Sequence, residues 1–288
     1  MIYSQVYKPK RNELIYHYCS AETFNAICTN KCIRLCDIFT MNDFMEMHWG
    51  YSIWEKVAND LIEELGFEFI DSIDKIIHIS GTKCLVLASC FSLDGDVLSQ
   101  WRAYSNDGNG YCIGFNAKDL LNLNIKALRV EYNEKKQIRE LKAVIKALYE
   151  VEQNLPEVER FGQDFFETCA NIAFDLAAFK NPAFGEEKEV RLIHLLNFEE
   201  SNDYLKLIDV GGTAFGKDAH PLEVKFLMSQ NMPKAYIDIN FTNENTLNPI
   251  KKVIIGPKNM VLNSAISVYL ETLNIGNVQV ERSNSSYR

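Results

Sequence analysis

The sequence contains no apolar run of membrane-spanning length, and its opening MIYSQVYKPKR has charge with no apolar stretch behind it. Both absences argue against a spanning or exported chain and lead to the expectation of a cytoplasmic protein that does not engage a membrane. There is also no CxxC pair among the eight cysteines, which are scattered from Cys19 to Cys169. Without an export signal they read as reduced thiols. Cys28, Cys32 and Cys36 recur every fourth residue, but a helix end at Asn30-Lys31 and a strand-like CIRLC lie between them. Their side chains are therefore not expected to converge, and no metal site is expected. Internal repeats and low-complexity linkers are lacking too. Basic charge is in deficit, with Lys+Arg 30 against Asp+Glu 39 and a net charge of -9. That balance opposes attraction to phosphate backbones, so a nucleic-acid role would need a local basic channel.

What is present is a globular composition. Hydrophobic residues make up 47%, with 17 Phe and 13 Tyr, enough for an aromatic-rich core. The pattern predicts a strand over Leu14–Cys19, a helix from an N-cap at Ser20 to Asn30, and a strand at CIRLC. Irregular chain through Met41-Asn42-Asp43 follows. Helices are predicted from Met47 to Leu65 and from Phe67 to His78, then a buried strand over Cys84–Ser92. Asp96 is expected to cap a short helix carrying Trp101 and Tyr104. Asn106 to Gly110 reads as a turn needing positive φ, feeding the strand YCIGF. IKALRVEY is a further strand. Residues 133 to 180 are almost wholly helical in pattern and read as an insertion packed on a sheet. Strands return at 187–198, 204–210, 222–228, 236–240 and 251–255, and a helix near 261–273 precedes a last strand, VQVE. Uneven alternation favours α+β, with a mixed, largely antiparallel sheet, in a single composite domain over residues 1–288.

Four places hold polar residues that local structure does not require. His17 is centred in the apolar strand LIYHYC, where it is either a satisfied core residue or a functional one. Arg34 sits between apolar strand neighbours, ahead of Asn42-Asp43. Ser99, Gln100 and Arg102 gather beside the glycine turn. In FKNPAFGEEKEVRLIHL, strand spacing puts Glu187, Glu189 and Arg191 on one side. These form either a structural ion pair or a tuned acid/base pair with a positioning cation. Lys135, Lys136, Arg139, Lys142 and Lys146 lie on one predicted helix, as a solvated face or a nucleic-acid contact.

IYHYCS, RLCDIFTMND, CFS, LSQWRAYSNDGNGYCIGF, FKNPAFGEEKEVRLI and VIIGP, in that order, resemble the bacterial family catalogued as domain of unknown function 2971. A weaker resemblance adds chemistry. An early-strand histidine, a middle aromatic and a glutamate opening a later strand are similar to the His–Tyr–Glu order of ADP-ribosyltransferases. That likeness implies an ADP-ribosyltransferase fold and NAD as substrate. His17 would bind a ribose hydroxyl, Tyr104 or Trp101 would stack on nicotinamide, and Glu189 would contact the nicotinamide ribose. Glu187 would orient the acceptor, and Arg34, Arg102 or Arg191 would hold the pyrophosphate. It implies a toxin or antiviral effector that modifies a protein or nucleic acid, with a neutralising or regulatory protein partner. A hydrolase using Glu187/Glu189 and His17 without NAD, or a module sensing a nucleotide-like ligand, are the alternatives.

Overall fold

A computed structural model describes residues 5–40, 46–229, 231–242 and 248–287. The Met41-Asn42-Asp43 turn lies outside them. Strand β1 (Leu14–Cys19) is followed by α1 (Ala21–Asn30), whose N-cap Ser20 accepts the Thr23 N–H, and by β2 (Cys32–Asp37). Then come α2 (Glu46–Leu65), α3 (Phe67–Lys83), β3 (Cys84–Ser92) and α4 (Leu98–Tyr104). The central part holds β4 (Tyr111–Asn116), α5 (Ala117–Leu120), β5 (Lys126–Arg129), α6 (Glu134–Asn154) and α7 (Gln163–Asp175). The rest is mostly strand: β6 (Glu189–Glu200), β7 (Leu205–Ile208), β8 (Gly212–Ala214), β9 (Lys217–Ala219), β10 (Lys225–Ser229), β11 (Met232–Asn240) and β12 (Ile250–Ile255). Helix α8 (Asn263–Thr272) and β13 (Gln279–Arg282) close the described chain.

An α+β architecture with a large antiparallel sheet results. Among the described residues eleven strands join one sheet, along the path β10-β11-β2-β3-β1-β4-β12-β13, with β6 branching from β3 and carrying β5 and β7. Every pairing in it is antiparallel except β12 with β13. The turn ahead of β4 does need positive φ, at Asn106, Asp107 and Gly108. Three expectations change. Asp96 caps no helix: Val97 holds the N-cap position, and Asp96 instead accepts the Trp101 indole N–H at 2.7 Å. IKALRVEY contributes only Lys126–Arg129, because its end turns away to meet the helices. The helices of residues 133–180 do not pack on the sheet alone. They join α2 and α3 around a second core centred on Trp54, Ile73, Leu141 and Phe165.

The helical core meets the sheet at a few polar joints. Gln137, fully buried on α6, donates to the Lys180 carbonyl at 2.9 Å and to the Glu131 carbonyl, and its oxygen accepts the Trp49 indole N–H. Lys126 of β5 pairs with Asp175 at the end of α7, and Arg191 of β6 donates to the Ala177 carbonyl. All three joints fall between residues 175 and 180.

Candidate active site

The branch in the sheet creates the site. One side of β3 is paired by β6 along its whole length, from Cys84↔Asn197 to Ser92↔Glu189. On its other side β2 pairs at Leu87 and Ala88, β1 pairs at Ser92, and no strand among the described residues pairs between them. Strands β1 and β2 thus part over Ser89–Phe91, and a cavity of about 460 Å³ opens at the parting. A second cleft of about 780 Å³ adjoins it, sharing His17, Thr23, Arg34, Ser89 and Phe91 as walls.

His17 stands where the ladder is interrupted. Its Nδ1 lies 3.0 Å from the Cys90 carbonyl, so it carries the proton and donates. The side chain replaces a missing strand-to-strand bond, which explains a histidine in an apolar strand. With Nδ1 protonated, Nε2 of the neutral ring is an acceptor, and burial lowers the pKa and so favours that neutral form. The ring also packs on Phe91 at 5.4 Å between centroids.

The opposite wall is a buried ion cluster. Glu189 opens β6, and Glu187 precedes it at the end of a 3-10 turn. Between them Lys188 takes a left-handed conformation (φ 47) that turns its own side chain out to solvent. Lys180 Nζ reaches Glu187 Oε2 at 2.7 Å and Glu189 Oε2 at 3.1 Å. Arg191, with no exposed surface, grips Glu189 through Nε at 2.8 Å and Nη2 at 3.0 Å. The two carboxylates therefore differ in character. Burial alone would raise both pKa values. For Glu189 that is overcome by the Arg191 charge and hydrogen bonds, helped by Lys180 and the Cys90 thiol, and its pKa falls to about 2. For Glu187 burial prevails over Lys180, and the pKa rises. The two neighbouring carboxylates are thus driven apart: Glu189 is held as an anion by its cations, and burial favours the protonated form of Glu187.

Helix α4 supplies the third wall. Gln100 and Tyr104, one turn apart, share a face and both line the cavity. The Tyr104 hydroxyl donates to Glu187 Oε1 at 3.2 Å. Trp101 points the other way, fully buried against Tyr18, Cys112 and Ile254. Arg102 also lies outside the cavity lining and sits over the Tyr287 ring at 5.7 Å.

His17, Arg34, Tyr104, Glu187 and Glu189 therefore come together, whereas Trp101, Arg102 and Arg191 do not line the cavity. Arg34 borders both spaces, paired with Asp238 at 2.8 Å and stacked on Tyr236, with 47% of its side chain still exposed. Arg191 acts behind Glu189. The basic helix face is largely committed elsewhere: Lys136 to Glu131, Lys142 to Asp60 and Lys146 to Glu64. Lys180 was not singled out by sequence reasoning. A signal existed, because two buried acids beside one arginine leave a negative charge that needs a second cation. No group of three or more His, Cys, Asp or Glu among the described residues has a metal-holding arrangement, and no helix among them is long and apolar enough to cross a membrane.

A parted antiparallel sheet enclosing two buried carboxylates, a histidine and a tyrosine defines the class of site. Residues 100–192, about a third of the chain, match the family model described as Protein of unknown function (DUF2971). That stretch carries Tyr104, Lys180, Glu187 and Glu189, and the match bears out the family resemblance read from the motifs. No curated protein and no solved structure matches the chain.

Proposed function

We propose that the protein is an NAD-consuming ADP-ribosyltransferase of the toxin or antiviral type, acting on a macromolecular acceptor. The observation that carries this reading is the convergence of His17, Tyr104, Glu187 and Glu189, from three distant stretches of chain, on one cavity. Their chain order, histidine then aromatic then glutamate, supports an ADP-ribosyltransferase-like fold. The cavity and its adjoining cleft share one wall, so a two-part ligand such as a dinucleotide can extend from one into the other. Arg34, on the shared wall, is the arginine placed to meet a diphosphate between the two halves.

Scission of the nicotinamide–ribose bond leaves its electron pair on the nicotinamide nitrogen and positive charge on the sugar, as in glycoside cleavage. The ionised Glu189 and the carboxylate form of Glu187 stabilise that charge. Glu189 is already balanced by Arg191 and Lys180, so Glu187 is the better base. The acceptor's lone pair forms the new bond to the anomeric carbon, and its proton passes to Glu187. With water as acceptor the same steps give hydrolysis. His17 Nε2, an acceptor, suits a ribose hydroxyl.

One observation favours a second reading, a ligand-sensing module. Both Glu189 oxygens are occupied by cations, an arrangement that can serve binding without turnover. Incubating the protein with NAD, with and without cell lysate, and following nicotinamide release separates the two. Release that Glu187→Gln abolishes and lysate stimulates supports transfer. Wild-type protein that is folded, binds NAD and releases none refutes it.

A further inference from the structure

Six of the cavity's lining residues are both polar and buried: Ser89, Ser92, Gln100, Lys180, Glu187 and Glu189. Four are committed. Ser92 donates to the Glu187 carbonyl, and Lys180 with the two glutamates forms the ion cluster. Only Ser89 and Gln100 have no hydrogen-bond partner among the described residues. Gln100 has 7% of its surface exposed, yet its amide atoms are absent from the fully occluded, unsatisfied groups, which are Tyr7 Oη and Ser99 Oγ. The small exposed remainder therefore includes the amide, and the space Gln100 borders is the cavity. A buried carboxamide without a partner is costly unless a ligand completes it.

We infer that Gln100 reads the carboxamide of the nicotinamide group, donating to its oxygen and accepting from its nitrogen. This rests on the NAD reading and assigns that site its base-recognition residue. Two features select an aromatic carboxamide. The side chain offers one donor and one acceptor side by side, which only a group with the reversed pair satisfies fully. Tyr104, one helical turn further on the same face of α4, gives a flat aromatic surface on the wall of the same cavity. A carboxylate in place of the amide has no donor to offer the Gln100 oxygen.

The test measures binding of free nicotinamide, benzamide and nicotinate by calorimetry or ligand-observed NMR, to wild type and to Gln100→Leu and Gln100→Glu. Because Gln100 has no protein partner to lose, Gln100→Leu is expected to fold. Wild type should prefer both amides to nicotinate by ~10-fold or more, the weight of a lost buried hydrogen bond. Gln100→Leu should lose that preference by weakening amide binding alone, and Gln100→Glu should weaken it less. Equal amide affinity in wild type and Gln100→Leu overturns the inference, as does a wild type indifferent to amide against acid. Nicotinamide release from NAD, measured separately, keeps the two readings apart. Amide recognition through Gln100 without release sinks the transferase and leaves this inference standing. Release with no role for Gln100 does the reverse.

Discussion

Replacing Glu189 and Glu187 in turn by glutamine should produce opposite defects. Glu189 holds three charge-assisted bonds, from Arg191 Nε at 2.8 Å, Arg191 Nη2 at 3.0 Å and Lys180 at 3.1 Å. Glu189→Gln removes the charge and turns an amide N–H₂ towards a guanidinium that has no exposed surface. A buried charge that loses its partner costs about 3–5 kcal/mol. For a chain of this size that is a fall in Tm of roughly 5–8 °C. Glu187→Gln acts on a carboxyl that burial already pushes towards its neutral form, while Lys180 keeps Glu189 as counter-ion. Its cost should stay within about 1 kcal/mol, and the loss should appear in nicotinamide release instead. Thermal unfolding followed by circular dichroism, with urea titration for the free energies, reads both. Adding Arg191→Leu to Glu189→Gln should restore part of the stability, because the orphaned cation is gone. A Glu189→Gln variant melting within about 2 °C of wild type would refute the division of labour.

Three further outcomes follow from the same geometry. The folded chain holds Glu189 at about 2 against an ordinary 4.5, so the unfolded chain binds more protons in between. This stabilisation, on the order of 3 kcal/mol, is complete above about pH 4.5 and lost as pH falls towards 2. Glu187, raised when folded, acts in the opposite sense, since acidification relieves its cost. Urea unfolding across pH should therefore show a steeper acid loss in Glu187→Gln than in wild type, and a shallower one in Glu189→Gln. Gln137→Leu leaves the Trp49 N–H and two carbonyls without their bonds, and chemical denaturation should register a loss of about 2–3 kcal/mol. Gly110→Ala would put a methyl 2.1 Å from the Cys19 carbonyl. Poor soluble yield or a lowered Tm is expected, whereas Gly81→Ala, with open space around it, should raise helix stability by about 1 kcal/mol.

Much of the fold was legible because it is locally encoded. Leu14–Cys19 and Cys84–Ser92 were readable from runs of apolar and β-branched residues, and Ser20 from its capping chemistry. The hairpin of β8 and β9 was missed because its short strands carry no apolar alternation. Asp96 misled because an aspartate before a helix satisfies the capping rule, while an indole N–H five residues on competes for the same oxygen. At the site, His17, Glu187 and Glu189 were legible as residues that local structure left unexplained, and Tyr104 only through the likeness to ADP-ribosyltransferases. Their partners were not, since whether Arg191 faces the cavity or stands behind Glu189 depends on how β6 lies against α7. Gln100 was visible only as one of several polar residues near a turn. Its distinction, burial without a partner, exists only once β1 and β2 part.

The three joints between helices and sheet all fall on residues 175–180, immediately before the carboxylates. Most of α6 and α7 therefore communicates with the cavity through this connector of six residues and through Tyr132, just ahead of α6, whose hydroxyl accepts the Glu189 N–H at 3.0 Å. In a saturation mutagenesis scan scored on site function, the exposed positions of those helices should tolerate substitution freely. Intolerance should be concentrated at the connector and at Gln137. A peptide, antibody or natural partner that clasps the helices could then alter the cavity by shifting those two links, from a surface that never touches substrate.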